Sequence, residues 1–129
     1  MGAMSQAEIV AFYAELHEKR GHKDTLNFCT FLDELFSERD FSGCTFFTSL
    51  NTFCIVRFPT YSEWRHKPLL SIRIASSTNV LFELRITEAI KPALRATTRS
   101  SSAKYDVAFD EFDRVYNEFM LAHDELEPH

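Results

Sequence analysis

The spacing of apolar residues predicts two helices at the start of the chain. Ser5-x-x-Glu8 forms a capping box, and apolar residues recur behind it at helical spacing until Gly21. A second, wider apolar stripe follows Asp24 or Thr25, either of which suits a helix cap. The stripe positions are Ile9, Phe12, Tyr13 and Leu16 in the first helix, and Leu26, Phe28, Cys29, Phe31, Leu32, Leu35 and Phe36 in the second. We expect the second helix to be the more buried.

From Cys44 the chain changes to the threonine, valine, isoleucine and phenylalanine residues that favour strands. Cys44–Leu50 and Phe53–Phe58 predict a hairpin with its turn at Asn51-Thr52. Pro59 ends this hairpin, because proline has no N–H to donate to a strand ladder.

Alternating apolar and polar residues predict a second hairpin, formed by Leu70–Ile74 and Val80–Ile86 around the turn Ser76-Ser77-Thr78-Asn79. Each of these strands has one dry and one wet face. A weaker fifth strand is indicated over Ala93–Arg99, where Pro92 allows an edge position. In that strand the predicted inward residues are Leu94 and Ala96, and the predicted outward residues are Arg95, Thr97 and Arg99.

Ser100-Ser101-Ser102 breaks the strand pattern, and the clearest helical repeat of the chain then runs from Tyr105 to Met120. The acidic tail, His123 to His129, is expected to fray. Two helices, four or five antiparallel strands and a long amphipathic helix predict an α+β fold. We expect a two-layer sandwich in which the helices pack on one face of a meander.

The length of 129 residues suits one domain, which we place at residues 4–129. Met1-Gly2-Ala3 precedes a second methionine and resembles a vector-derived leader. No apolar run approaches the roughly 18 residues of a membrane helix. Three cysteines without a C-x-x-C spacing argue against a disulfide framework and a zinc site; they are Cys29, Cys44 and Cys54. Reduced thiols, and the absence of a charged and then apolar secretion signal at the start of the chain, favour the cytoplasm.

Common catalytic and cofactor motifs are missing from the sequence. Beyond the leader, glycine occurs only at Gly21 and Gly43, which excludes a glycine-rich phosphate loop. The five histidines are scattered, and the only acidic and histidine-rich cluster lies in the tail after His123. We expect no cofactor, no metal and no catalytic residue, and an enzyme is the less expected class.

Charge divides the chain into acidic and basic segments. Residues 44–104 hold nine Lys or Arg against three acids, whereas residues 4–43 hold four against eight and residues 105–129 one against eight. The net charge is −5. The predicted helices are therefore acidic and the predicted sheet is basic.

The arginines of the sheet segment form the first candidate site: Arg57, Arg73, Arg85, Arg95 and Arg99. If they project together from the wet face, their planar guanidinium groups suit a partner that carries carboxylate or phosphate. The alternative is an ordinary solvent-facing sheet with cross-strand pairs such as Arg73 with Glu83.

Two further regions are candidate contact surfaces. The loop between the hairpins holds residue types that concentrate binding energy in interfaces, namely Tyr61, Trp64, Arg65 and His66. The competing interpretation is that Trp64 covers one end of the core. The last helix carries an acidic set, Asp106, Asp110, Glu111, Asp113 and Glu118, which is either a solvated face or a decoy for a cationic partner.

These patterns predict a small non-catalytic protein-binding module of adaptor or inhibitor type, with toxin neutralisation as one instance. The alternative is a binder of nucleic acid or a phosphorylated ligand through the arginine-bearing sheet face. A small metal-binding protein or hydrolase is a third possibility. An acidic protein is favoured over nucleic acid as the partner, because the chain is acidic overall and the wet positions lack an aromatic pair for base stacking. A homodimer is also possible, and no membrane contact is expected.

Overall fold

The structure of the chain is a computed structural model that describes residues 3–20, 23–57, 68–90 and 93–126, without the side chains of Arg20, Lys23, 87–90, 93–96 and 123–126. The elements are α1 (Gln6–Arg20), α2 (Lys23–Glu38), β1 (Thr45–Ser49), β2 (Thr52–Val56), β3 (Leu69–Ile74), β4 (Asn79–Ile90), β5 (Ala93–Lys104) and α3 (Ala108–Leu126). The strands form one antiparallel sheet in the order β1-β2-β3-β4-β5. The predicted α+β sandwich is confirmed.

The capping box at the start of α1 is formed as predicted. The Ser5 N–H donates to Glu8 Oε1 at 3.0 Å, and the Glu8 N–H donates to Ser5 Oγ at 3.1 Å. Helix α2 begins one residue before Asp24, so neither Asp24 nor Thr25 caps it and both lie in its first turn. Helix boundaries depend on hydrogen bonds that the local sequence only partly determines.

The main core lies between the helices and one face of the sheet. Its fully buried residues include Phe28 from α2, Phe53 from β2 and Phe112 from α3, each 0% exposed. Phenylalanine rings meet at tilted or edge-to-face angles, as between Phe36 and Phe53 at 5.6 Å and 89°. The apolar stripes found in the sequence are therefore the inner faces of α2 and α3, except that Leu26, predicted to widen the α2 stripe, is 48% exposed.

The first hairpin turns one residue earlier than predicted. Its turn residues are Leu50 and Asn51, with φ of 49° and 67°, and Ser49 pairs with Thr52. Two central residues with positive φ give the tight turn that matches the twist of a hairpin. Leucine is unusual in this left-handed region, which is why residue preferences did not predict a turn at Leu50. The Tyr13 hydroxyl donates to the Asn51 carbonyl at 2.8 Å and ties the turn to α1.

The fifth strand exists, but the prediction that it stops before the serine triplet is wrong. β5 continues to Lys104, and Ser100, Ser101 and Ser102 pair with Glu83, Phe82 and Leu81 of β4. Serine has little intrinsic strand preference, and pairing with the long partner strand outweighs that local tendency.

The predicted inward and outward positions of β5 are also wrong. Thr97 pairs with Ile86 and Arg99 with Leu84, which are positions of β4 on the face that carries the helices. Directly paired residues share a face, so Thr97 and Arg99 lie on the helix side of the sheet. A strand with little apolar content takes its register from its neighbour rather than from its own pattern.

The face of the sheet opposite the helices is not wholly wet. A second apolar cluster on it consists of Phe47, Cys54, Val56 and Leu69, which are 3–8% exposed. Toward β4 the same face becomes polar, with Ser71, Arg73 and Glu83. The predicted dry and wet faces of the second hairpin are present in β3 and β4, whereas Leu69 and the first hairpin also bury apolar residues on the face opposite the helices.

The two outer strands of the sheet differ. At β1, the Met4 N–H donates to the Phe46 carbonyl at 2.8 Å, so a short stretch of the N-terminal segment pairs with this edge. On the other side of the sheet, the Tyr105 N–H donates to the Thr78 carbonyl at 3.1 Å and continues the pairing of β5 with the chain before β4, while none of the other described strands lies beyond β5. Helix α3 starts at Ala108, three residues later than the apolar repeat indicated, and it continues to Leu126 through part of the tail predicted to fray.

Candidate functional site

The predicted arginine row is not a single surface. Arg73 and Arg85 share the face opposite the helices, and Arg73 Nη2 lies 2.8 Å from Glu83 Oε1. Arg85 has its Nε and Nη2 buried. Arg99 is on the helix side, with Nη1 3.6 Å from Glu118 Oε2 of α3. The prediction that Arg99 projects with Arg73 and Arg85 is therefore wrong.

Two other predicted arginines are not shown to lie with Arg73 and Arg85 on one surface. Arg57 is half-buried just after β2, and its charge acts on Cys44 and on Tyr116 of α3, which places it on the helix side. Arg95 is a backbone member of β5, and its side chain lies outside the described side chains. The cross-strand pair of Arg73 with Glu83, the alternative considered from the sequence, is present.

The acidic set of the last helix is neutralised in part. Arg39 holds Asp113 through two hydrogen bonds, of 2.7 and 3.0 Å, and Arg114 Nη1 lies 2.7 Å from Glu118. Arg114 Nε also donates to Glu111 at 2.7 Å. Asp106 lies before the helix rather than on it. Three of the five acids are thus paired with arginines, and whether the set is a solvated face or a contact surface for a cationic partner stays a prediction.

The predicted loop contact surface cannot be compared with the structure. Tyr61, Trp64, Arg65 and His66 lie outside the described residues. Their role stays a prediction.

The three cysteines are free thiols in environments that favour the protonated form. Burial raises the pKa of Cys54 to about 11, although a hydrogen bond from Ser71 and the charge of Arg85 oppose this shift. Burial also raises the pKa of Cys29 and of Cys44, whose Sγ lies 3.2 Å from the Tyr116 hydroxyl. Because the thiolate is the nucleophile, these environments disfavour cysteine chemistry at neutral pH.

We expect all three thiols to react with a chromogenic thiol reagent after denaturation without reductant. In the folded protein, Cys44 should react first, because it is half-buried whereas Cys29 and Cys54 are 9% and 3% exposed. Mass spectrometry of partly labelled protein identifies the modified residue. Recovery of a single thiol per denatured chain would contradict the assignment of reduced cysteines.

The outer edge of β5 is the most distinctive exposed feature of the sheet. The strand has 12 residues, and none of the other described strands lies on its outer side. The side chains of Thr97, Thr98, Arg99 and Ser100 are all exposed. An edge strand presents a row of backbone N–H and C=O groups that can pair with another chain.

A groove runs between this edge strand and α3. It comprises two adjoining cavities of about 210 and 520 Å³, which meet at Arg114. Arg99 and Ser101 line the first, and Ser102 and Lys104 line the second. The groove therefore lies beside the edge strand, with Arg99 and Lys104 on its strand side and charged side chains together with Val107 on its helix side.

Comparison of the chain with models of known protein families, with curated proteins and with solved structures gave no match. Across the described ranges, no helix has the length and hydropathy needed to cross a bilayer. The described side chains also contain no group of three His, Cys, Asp or Glu placed to hold a metal ion. The geometry of the surface is therefore the basis for a functional proposal.

Sequence reasoning missed the groove because it ended β5 at Arg99. The sequence holds a partial signal: only two residues separate Ile90 from Ala93, and so short a connection sets which residues of the two strands lie opposite each other. In that register Lys104 lies opposite Asn79, the first residue of β4. Alternation alone did not show how far β4 extends, because Thr87, Glu88 and Ala89 interrupt it.

Proposed function

We propose that the protein is a non-catalytic binding module that takes up an extended, acidic segment of a partner protein along the outer edge of β5. The observation that carries this proposal is the long exposed edge strand with a groove beside it. An added strand supplies the missing hydrogen-bond partners of the edge, and its alternate side chains enter the groove.

The charge of the strand supports an acidic partner. Residues 93–104 contain Arg95, Arg99 and Lys104 and no acid. Pairing with a second copy would bring the three cations of each strand together, and like charges on paired strands are destabilising. An acidic segment would instead attract these cations. Side chains at every second position of an added strand lie on the same face of the sheet as Arg99, so carboxylates at those positions would come close to its guanidinium group.

Adaptors and inhibitors, including proteins that neutralise toxins, are the classes this mode of binding suits. Three free thiols suit a reducing compartment, and we place the protein in the cytoplasm on that basis. Binding of nucleic acid through the sheet face has less support, because Arg73 is paired with Glu83 and Arg99 lies on the other face.

Proline substitution at two neighbouring positions of β5 tests the proposal. Consecutive N–H groups of a strand point to opposite edges. One of the variants Thr97→Pro and Thr98→Pro therefore removes a donor from the ladder with β4, and the other variant removes a donor from the open edge. We expect one variant to be destabilised in urea and the other to retain stability. The stable variant should lose at least about tenfold in affinity, the effect of one or two lost hydrogen bonds.

Ligands for this measurement come from a selection of random displayed peptides, which we expect to yield acidic sequences without proline. Arg99→Glu should weaken their binding, and Arg73→Glu, on the opposite face, is the matched control. Selection of basic peptides, or equal affinity of the wild type and the stable proline variant, would contradict the proposal. A wild-type dimer that the stable proline variant dissociates would show self-pairing instead.

A further inference from the structure

A third cavity, which shares the lining residue Lys104 with the β5 groove, opens where α2 meets the β3–β4 turn and the connection between β5 and α3. Its volume is about 580 Å³, within the range of roughly 300–1,000 Å³ typical of small-ligand pockets. Three aromatic rings, of Phe31, Tyr105 and Phe109, line it. Its charged lining residues are Glu34, Asp106 and Lys104.

The aromatic wall of this cleft is held in place by the fold. Phe31 is 3% exposed, and its ring lies 4.9 Å from that of Phe109 and 6.0 Å from that of Tyr105. The backbone of Tyr105 is fixed by its hydrogen bond to Thr78, which also lines the cleft. A ligand would therefore meet a preformed apolar surface, which lowers the entropic cost of binding.

The charges of the cleft favour a cation. Two carboxylates, of Glu34 and Asp106, face one ammonium group, of Lys104, among the described lining residues. Aromatic faces add to this preference, because the negative potential above a ring attracts positive charge. An anion would find one favourable and two unfavourable groups.

Beside the cleft, the protein already holds a cation between an aromatic ring and a carboxylate. The guanidinium carbon of Arg39 lies 5.3 Å from the centroid of Phe109, and Asp113 binds that guanidinium through two hydrogen bonds. An aromatic ring and a carboxylate thus hold a cation beside the cleft, and the lining of the cleft contains the same two types of group.

We propose that this cleft binds a small organic cation, with the apolar body of the ligand on Tyr105 and Phe109 and its ammonium group toward Glu34 and Asp106. This site does not depend on strand addition at β5. Either proposal can fail without the other.

Three probes of similar shape and different charge test this inference: phenethylamine, 2-phenylethanol and phenylacetate. Each is titrated into the full chain and followed by nuclear magnetic resonance. We expect phenethylamine to shift signals of Phe31, Tyr105 and Phe109, and to bind at least about threefold more tightly than the alcohol, as one cation–π contact supplies. Phenylacetate should bind more weakly than both.

Substitutions that replace a single carboxylate by an amide show which acidic residue produces the preference for the amine. Glu34→Gln should remove most of the preference for the amine over the alcohol. Asp33→Asn is the matched control, because Asp33 is an exposed neighbour on α2 that does not line the cleft. Both positions are exposed, so neither change should unfold the protein. Equal binding of the amine and the alcohol, shifts confined to other residues, or an equal effect of both substitutions would overturn the proposal.

Discussion

Replacement of Phe112 by alanine is expected to lower the free energy of unfolding by about 3–5 kcal/mol, the usual cost of removing a buried aromatic side chain. Phe112 is 0% exposed in the middle of α3. Its ring centroid lies 5.2 Å from that of Tyr116, 5.9 Å from that of Phe41 and 6.3 Å from that of Phe82. The substitution would therefore leave a cavity bordered by a helix, a connecting segment and the sheet.

Urea unfolding of the wild type and the variant measures this loss. Asn117→Ala is the control, because Asn117 is exposed on the same helix and should change stability by no more than about 0.5 kcal/mol. If Phe112→Ala costs less than about 1 kcal/mol, the packed face of α3 has been assigned wrongly.

Leu69→Ala is expected to cost about 2–5 kcal/mol, although Leu69 lies on the face of the sheet without helices. The residue is 8% exposed and belongs to the second apolar cluster with Phe47, Cys54 and Val56. Loss of a buried leucine side chain removes its apolar contacts and leaves a cavity, whichever layer covers it. The expected loss is comparable with that for a leucine of the main core.

Leu81→Ala provides the comparison, because Leu81 is on the same face of the sheet but only half-buried, opposite Arg73. The difference between the two variants in urea unfolding isolates the contribution of the cluster. Equal and small losses for both would show that the second cluster adds little to stability, and that the sheet has one core.

The helices and their inner faces were predictable because local chemistry determines them. The capping box specifies the start of α1, and the spacing of phenylalanines specifies the buried face of α3 whatever else the chain does. The alternation of β3 likewise fixed its two faces. These features depend on residues close together in the sequence.

The arrangement of β5 could not be predicted in this way. Its exposed stretch of threonine, serine and arginine has no strong apolar period, so the faces are assigned by pairing with β4. Some ion pairs of the candidate site residues are tertiary as well: Arg39 and Asp113 are 74 residues apart. The pairs of Arg114 with Glu111 and Glu118 are local to α3, but only the fold brings Arg39 to Asp113 and Arg99 to Glu118.

The difference between the two edges of the sheet limits the assemblies that the protein can form by strand addition. The Met4 bridge occupies part of the β1 edge, whereas the described stretch of β5 from Thr97 to Lys104 has its side chains mainly in solvent. A copy added at the β1 edge would have to displace the Met4 bridge, whereas a strand added at β5 displaces none of the described strands. Filaments of stacked copies are therefore disfavoured, and the stoichiometry expected of strand addition is one bound segment per chain.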